Sequence, residues 1–329
     1  MPTVAFDARD AADPRPRGWG RYARELLAAL RQERDGIELR AVHDGGPGPE
    51  LVFEQLRLPR LLRRERADAV HAPNCFLPLR RPCPGVVTVH DLAFEDHPDD
   101  FSRRTGWKYR TFAPRAVRSA DRVICVSAFT RDEVCRRYGA DPGRVRVIPL
   151  APALAEGDAR PPPGPYLLAV GDLRRKKNLP ALLTAFERLR AEGLEHRLVL
   201  AGQDAGEAER LRGDAVEITG WVDDRRLDAL MRGADLLVHP SVHEGFGLVL
   251  LEAMARGTPV AAARAGALPE TAGDAAELFD PRDPSDIAAA VRRALDHAGE
   301  LSAAGRARAA EFSWQRTARE TLAVYREVL

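Results

Sequence analysis

The chain is short of cysteine, of aromatic side chains and of long apolar runs. Its 329 residues include four cysteines and 6% aromatic residues. Cys75, Cys83, Cys125 and Cys135 form no C-x-x-C pair and have no histidines at zinc spacing, so the pattern predicts free thiols rather than a disulfide scaffold or a structural zinc site. No stretch approaches the roughly eighteen consecutive apolar residues of a membrane-spanning helix.

The chain also lacks an excess charge of one sign. Fifty Lys and Arg residues face 49 Asp and Glu residues, a formal net charge of +1, which argues against a nucleic-acid binder. Met1 to Phe6 enters a strand-like run without the basic and apolar regions of a signal peptide. We therefore expect a cytoplasmic protein, with peripheral contact at the inner membrane face left open. Arg57 to Arg66, RLPRLLRRER, fits a lipid headgroup or polyanion contact or a solvated helix face.

Short apolar runs alternate with amphipathic segments along the whole chain, which predicts parallel sheets covered by helices. Between them, residues 151–165 contain five prolines and are predicted to form a stiff linker. We therefore predict an α/β fold of two doubly wound domains, 1–150 and 166–312, facing each other across a cleft. The last stretch, 313–329, is predicted to be a helix.

The most informative stretch is HPSVHEGFGLVLLEAMARGTPVAAARAGALPE, from His239 to Glu270. A buried strand before it ends at Pro240, and the glycines of Glu244-Gly-Phe-Gly allow positive φ before a helix that ends at Gly257. The free amides and dipole at such a helix start suit a phosphate group. On one helix, Glu244 and Glu252 would lie about 12 Å apart along the axis. They are therefore expected to bind different parts of one long ligand rather than to act as an acid/base pair.

Two further strands end in polar residues. The apolar run from Val86 delivers His90 and Asp91 at its carboxyl end, where open α/β sheets bind ligands, although a lone histidine is more often structural. After the strand that begins at Tyr166, the segment DLRRKKN places Lys176 and Lys177 before a helix. These lysines suit a diphosphate, and a solvated basic turn is the alternative.

Two short patterns limit the chemistry. Gly18-x-Gly20-x-x-Ala23 matches a loose dinucleotide fingerprint, but it follows its strand by about ten residues where the fingerprint requires an immediate turn, so we discount a dehydrogenase. The sequence contains no Asp-x-Asp. A diphosphate bound at this place therefore need not be neutralised by a divalent metal, because the lysines and the helix start at Leu248 could do so.

The long motif from His239 to Glu270 resembles the E-x7-E signature of retaining glycosyltransferases with the GT-B fold, specifically family 4. GWGRYARELLAAL, the triplet His90-Asp91-Leu92 and VGDLRRKKN are similar to further motifs of this family. Within this family, the motifs most resemble those of bacterial mannosyltransferases and rhamnosyltransferases of polysaccharide assembly. The resemblance implies two Rossmann-like domains, with the donor in the second, the acceptor on the first and the last helix crossing back to the first.

The resemblance also assigns roles to individual residues. Glu244, Gly245, Phe246 and Gly247 would face the donor sugar, Leu248 and Val249 would offer amides to the diphosphate, and Glu252 would bind the ribose. Lys176 and Lys177 would bind the diphosphate, with lysine replacing the family's arginine at 176. Gly18 and Gly20 would approach it from the first domain, Trp221 and Val222 would lie beside the base, and His90 and Asp91 would lie near the sugar and the acceptor.

The implied function is retaining, metal-independent transfer of a sugar from a nucleotide-diphosphate-sugar to an acceptor hydroxyl on a glycan, a lipid-linked molecule or a small molecule. No cofactor beyond this co-substrate is expected. A nucleotide-sugar hydrolase or epimerase on the same fold is the nearest rival, and a non-catalytic nucleotide-sugar-binding subunit is the rival from another class. The sugar, base, acceptor and oligomeric state stay open.

Overall fold

The computed structural model describes residues 1–13, 18–33, 36–43 and 48–329. It divides into two compact units, one formed by Met1–Ala151 with Ser313–Leu329 and the other by Pro152–Phe312. Each unit contains one six-stranded sheet in which all pairs of neighbouring strands are parallel. The predicted α/β fold of two doubly wound sheets is confirmed.

The first sheet has the strand order β2-β1-β3-β4-β5-β6. Its strands are β1 (Thr3–Asp7), β2 (Glu38–Val42), β3 (Ala69–Ala72), β4 (Gly85–Val89), β5 (Arg122–Cys125) and β6 (Val145–Val147). Strands β1, β3 and β4 are buried along their whole length, which explains why they are nearly continuous apolar runs.

The helices of the first unit are α1 (Gly18–Gln32), α2 (Glu50–Val52), α3 (Leu58–Arg64), α4 (Ala93–Asp96), α5 (Arg103–Ser119), α6 (Ala128–Tyr138) and, from the end of the chain, α13 (Trp314–Arg326). A π-helical turn, Phe53–Arg57, joins α2 to α3. Ser102 and Ser127 cap the starts of α5 and α6 through their hydroxyls. Helix α13 packs against α1.

The second sheet has the order β12-β11-β10-β7-β8-β9. Its strands are β7 (Tyr166–Val170), β8 (Arg197–Ala201), β9 (Val216–Gly220), β10 (Leu236–His239), β11 (Val260–Ala263) and β12 (Glu277–Phe279). Its helices are α7 (Leu179–Ala191), α8 (Asp224–Gly233), α9 (Leu248–Ala255), α10 (Leu268–Ala272), α11 (Pro284–Asp296) and α12 (Ala298–Ala310).

The order of the second sheet reverses between β7 and β10, because the chain first adds β8 and β9 on one side and then β10 to β12 on the other. Helices that leave adjacent strands in opposite directions at such a point open a crevice at the carboxyl ends of the strands. The corresponding reversal in the first sheet lies between β1 and β3.

The proline-rich stretch after residue 151 is more than a spacer. It has no helix or strand between 152 and 165, but Leu154 is buried, and its carbonyl accepts a 2.6 Å hydrogen bond from Arg256 Nη2. The Gly157 amide donates to Asp228 Oδ2 at 3.0 Å. These contacts explain why the stretch belongs to the second compact unit, which begins at Pro152.

None of the helices in the part of the chain that the structure describes combines the length and the apolar composition that a bilayer crossing requires.

Candidate active site

The reversal in the second sheet brings two polar loops together. One follows β7 and contains the short 3-10 helix Arg175–Lys177, and the other follows β10 and runs to the start of α9. The Val242 amide donates to the Lys176 carbonyl at 2.9 Å, which ties the two loops to each other. The sequence motifs around Lys177 and Glu244, 67 residues apart, therefore form one site.

An ion pair between Lys177 and Glu244 lies at the centre of this site. Lys177 Nζ donates to Glu244 Oε1 at 2.6 Å, and the two side chains keep 17% and 13% of their surface exposed. Both groups are therefore mostly shielded from water but not sealed from it. A ligand entering the crevice would meet a cation and an anion side by side.

Burial by itself raises the pKa of Glu244, but the positive charges of Lys177 and Lys176 outweigh it, so this pKa lies well below its ordinary value. His239 Nε2 lies 3.4 Å from Glu244 Oε1. Burial lowers the pKa of His239 and outweighs the nearby carboxylate, so this imidazole is neutral near pH 7. Glu244 is thus a stable carboxylate, able to accept hydrogen bonds.

Two glycines on the lysine side of the site leave room for Lys177. Gly171 has a φ of +137°, and a Cβ there would lie 2.8 Å from Lys177 Cε. A Cβ on Gly202, at the end of β8, would lie 2.0 Å from the Gly171 carbonyl oxygen. Gly171 therefore leaves room for the lysine side chain, and Gly202 leaves room for the Gly171 backbone beside it.

The glutamate side is supported from behind by the loop before α10. The Ala267 amide donates to the Glu244 carbonyl at 2.9 Å, and a Cβ on Gly266 would lie 2.5 Å from the same oxygen. Gly247 has a φ of +91°, as the sequence predicts, whereas Gly245 does not adopt a positive φ. Of the two glycines that allow a positive φ in this loop, Gly247 is therefore the one that adopts it.

Helix α9 begins at Leu248, immediately after Gly247, so the amides of Leu248 and Val249 belong to its first turn. Glu252 lies in the second turn, and its residue is 4% exposed. Phe246 is also buried, with its ring 6.0 Å from that of Phe312. The helix ends before Gly257, whose φ of +74° confirms its predicted place beyond the last turn.

Trp221 and Val222 follow β9, the edge strand two positions from β7. Trp221 is 47% exposed and therefore does not belong to the core of the unit. Its place at the carboxyl edge of the same sheet leaves its predicted role beside a nucleotide base open to test.

In the first unit, His90 follows the buried strand β4. Its Nε2 lies 2.8 Å from the Pro73 carbonyl oxygen, which can only accept, so Nε2 carries the proton and Nδ1 is an acceptor. Burial lowers the pKa of His90, which keeps this form neutral. Asp91 Oδ1 accepts a 3.0 Å hydrogen bond from the Ala93 amide at the start of α4.

Gly18 and Gly20 lie in the first turn of α1. The sequence predicts a loop up to Arg21 and a helix from Tyr22, so the helix begins four residues earlier than expected. Part of the predicted loop, residues 14–17, lies outside the described residues. Whether these glycines approach a diphosphate stays a prediction.

A buried series of side-chain hydrogen bonds lies next to His90, and the sequence analysis did not predict it. His71 Nδ1 lies 2.7 Å from the Tyr325 hydroxyl, His71 Nε2 lies 2.8 Å from Thr88 Oγ1, and Thr88 Oγ1 lies 3.1 Å from the Tyr22 hydroxyl. The four side chains are fully buried. The ring of Tyr22 then meets that of His90 nearly at a right angle, with centroids 4.7 Å apart.

Burial, with a smaller contribution from His90, lowers the pKa of His71 to about 3, so this imidazole is neutral. It joins two strands of the first sheet to the last helix of the chain. The signal for it in the sequence is a polar residue inside each of two otherwise apolar strands, His71 in β3 and Thr88 in β4, because buried polar groups need partners.

Comparison with known proteins adds two family matches to this geometry. Residues 164–297 match the family model described as glycosyl transferases group 1, and residues 48–151 match that of glycosyltransferase family 4. The chain is 30% identical to O-antigen chain mannosyltransferase B of Escherichia coli, over 94% of this chain and 96% of that protein. The chain belongs to family 4 of the glycosyltransferases. It is 31% identical to the MMP alpha-(1->4)-mannosyltransferase of Mycolicibacterium hassiacum, over 85% of this chain and 76% of that protein.

Solved structures of other glycosyltransferases share the fold. Sucrose-phosphate synthase from Thermosynechococcus elongatus superposes with a TM-score of 0.80 at 23% identity, covering 99% of both chains. HepE of Anabaena in complex with UDP-glucose gives a TM-score of 0.71 at 19% identity, covering 99% of this chain and all of that one. This family 4 glycosyltransferase therefore has the GT-B fold.

Proposed function

We propose that this glycosyltransferase transfers a sugar from a nucleotide-diphosphate-sugar to an acceptor hydroxyl, with retention of the anomeric configuration and without a divalent metal. The observation that carries the proposal is the Lys177–Glu244 pair at the strand reversal of the second sheet. It supplies a cation for the diphosphate and a carboxylate for sugar hydroxyls at the place where open α/β sheets bind ligands.

Glu244 balances the charge of Lys177 across 2.6 Å. When a diphosphate enters, its oxygens compete for Lys177 Nζ, and the freed Glu244 oxygen accepts from a sugar hydroxyl. The first amides of α9, at Leu248 and Val249, add donors and the positive end of the helix dipole. Lys176, on the same loop, adds a second positive charge. Together these groups neutralise the leaving diphosphate in the role that a metal ion has elsewhere.

The order of the strands supports one direction for the donor in this proposal. From β10 to β7 to β8 to β9, neighbouring strands lie about 4.8 Å apart, so the span from Glu244 to Trp221 is on the order of 14 Å. This span suits a ligand with the sugar near Glu244, the diphosphate near Lys177 and the base near Trp221 or Val222. Glu252, buried in α9, is assigned to the ribose by the family resemblance.

In the proposed reaction, the acceptor oxygen bonds to the anomeric carbon on the face from which the diphosphate departs. The bond between that carbon and the phosphate oxygen breaks, and the departing oxygen receives the proton of the acceptor hydroxyl. His90 contributes an uncharged acceptor, Nδ1, because its Nε2–H is bound to the Pro73 carbonyl. It therefore orients a sugar or acceptor hydroxyl and does not add charge. Asp91 supports the start of α4 beside it.

Two of the relatives described above are named as mannosyltransferases, which makes mannose the first sugar to test. A donor preference for another sugar would change the specificity assigned here but not the reaction.

The experiment is turnover in EDTA with nucleotide-activated mannose, rhamnose and glucose and a panel of glycan, lipid-linked and small hydroxyl acceptors. NMR of the product gives the anomeric configuration. Transfer with retention in EDTA is the expected result. Inversion, or activity that returns only with added Mg²⁺ or Mn²⁺, would contradict the proposal, and turnover without acceptor would indicate a hydrolase.

A further inference from the structure

An apolar groove on the first unit lies apart from the residues discussed so far. It has a volume of about 410 Å³ and is lined by Leu51, Val52, Leu56, Leu79 and Phe112, with Arg80 among them. The helical segment from α2 through the π-helical turn to α3 forms one wall, and α5 contributes Phe112. A groove with this mostly apolar lining suits an apolar occupant.

Two exposed apolar side chains adjoin the groove. Leu56 is 52% exposed and Trp107 is 55% exposed, and the Trp107 ring lies 6.0 Å from that of Phe112. Among the described residues, three other large apolar side chains are exposed. Two of them are the terminal residues Met1 and Leu329, and the third is Trp221 at the candidate base site. Leu56 and Trp107 thus form the exposed apolar surface that no other feature explains.

Cations surround this surface. Arg60 and Arg63 are exposed and lie four and seven residues after Leu56, on the same face of the helical segment. Arg103 and Arg104 are exposed and lie one turn before Trp107 on α5. The acidic Glu50 nearby is already paired with Lys108 at 2.8 Å.

The groove is held open by fixed contacts. Lys108 joins α5 to the other wall through Glu50 and through the buried Glu54, each at 2.8 Å. Gln55, in the π-helical turn, accepts from the Leu79 amide at 3.0 Å and so holds the loop that forms the third side. The shape is therefore part of the folded unit and does not depend on a ligand.

We propose that this face docks on an anionic phospholipid bilayer, with Trp107 and Leu56 entering the headgroup region, the groove accepting an acyl chain and the arginines contacting lipid phosphates. Tryptophan and leucine beside arginine are the residues that lie at membrane interfaces. A second copy of the chain fits less well, because it would bring the same arginines to the contact. Docking here favours a lipid-linked acceptor over a soluble one.

The test is co-sedimentation of the full chain with vesicles of phosphatidylcholine alone and of phosphatidylcholine mixed with phosphatidylglycerol. We expect binding to the mixed vesicles, weakened by added NaCl, and little binding to the neutral ones. The double variant Leu56→Ser/Trp107→Ser should lose binding. Arg60→Ser should lower the partition coefficient about fivefold, the effect of one basic residue near an anionic surface.

Leu329→Ser and Arg319→Ser are the matched controls, because they change an exposed leucine and an exposed arginine elsewhere on the same unit. Binding that the controls reduce as much as the Leu56, Trp107 and Arg60 variants would overturn the proposal, as would absence of binding to both vesicle types. Self-association in analytical ultracentrifugation that Leu56→Ser/Trp107→Ser abolishes would reassign the face to a homodimer. No donor is needed in these experiments, so failure of the proposed transferase chemistry would leave their outcome unaffected.

Discussion

The carboxyl edges of the two sheets differ in how they satisfy their polar groups. In the second unit, Lys177 and Glu244 are charged, partly open to solvent and paired with each other. In the first unit, His71, Thr88, Tyr22 and Tyr325 are neutral, sealed from solvent and bonded in a fixed chain beside His90.

This difference follows the chemistry that each edge is proposed to serve. A diphosphate carries charge that must be neutralised, so its site needs cations that can exchange partners. A hydroxyl group needs orientation rather than charge, and a neutral imidazole in a rigid setting supplies an acceptor without attracting anions. Five changes test the distinction, beginning with the largest expected effect.

Acid should destabilise the first unit through His71. Its pKa is about 3 in the folded protein and near 6.5 when unfolded, so between these values the unfolded chain binds the additional proton. Stability therefore rises with pH in this window, by about 1.4 kcal/mol per pH unit, and is lost as the pH falls below about 6.5. Urea unfolding between about pH 7 and pH 5 should show a shallower slope for His71→Gln than for the wild type. The exposed His297→Gln is the control, and equal slopes for wild type and His71→Gln would contradict the assignment.

His90→Ala should reduce turnover on the order of a hundredfold or more, the usual effect of removing a positioned polar group from a reaction centre. Donor affinity should change little, because Lys176, Lys177 and the start of α9, which are proposed to bind the diphosphate, lie in the second unit. Initial rates and calorimetric dissociation constants measure the two effects separately. Retained turnover would remove His90 from the mechanism.

Lys177→Ala should have the opposite pattern, with its main effect on donor affinity. Loss of a charge-assisted hydrogen bond to the diphosphate should weaken donor binding by about 1.5–3 kcal/mol. Arg210→Ala, an exposed arginine of the same unit, serves as control. An unchanged dissociation constant for Lys177→Ala would mean that the diphosphate lies elsewhere.

Tyr325→Phe removes one hydroxyl from the sealed chain. It leaves a nitrogen of His71 without its partner, and a buried group in that condition costs about 1–3 kcal/mol. Urea titration should show this loss, together with a reduced turnover transmitted through Tyr22 to His90. Thr321→Val, which also deletes a buried hydroxyl of α13, is the control, since its bond runs to Thr317 within the helix. If both variants lower turnover equally, the buried hydrogen bonds of His71 and Tyr22 do not affect His90 in particular.

Trp221→Ala should have the smallest effect. Stacking of a base on an aromatic ring contributes about 1–3 kcal/mol, and a ring that is 47% exposed should lie at the low end of that range. Nucleotide titrations with and without the sugar should show the same loss. A loss that appears only with the sugar attached would place Trp221 near the sugar instead.

Local patterns were sufficient to predict the elements around Glu244. The end of β10 at His239, the positive φ of Gly247, the start of α9 and its end before Gly257 all depend on residues within about twenty positions of one another. The same holds for the alternation that predicts two parallel sheets. Such features depend on backbone sterics and helix capping, and both of these depend on residues close together in the sequence.

Contacts between distant residues could not be predicted in this way. His71 and Tyr325 are separated by 254 positions, and nothing around either residue indicates the other. The packing of Leu154 and Gly157 onto the second unit likewise depends on Arg256 and Asp228, so the proline content alone suggested a linker. The groove beside Trp107 arises from three segments that no single motif connects.

The measurement that tests the central claim most directly is calorimetric titration of the purified protein, in EDTA, with UDP, GDP, dTDP and ADP and their sugar conjugates. We expect selective binding of one nucleotide family without metal, at a site that Lys177→Ala removes. Binding that requires a divalent metal, or that is unchanged in Lys177→Ala, would contradict the claim that the lysine and helix start at the second sheet neutralise the diphosphate.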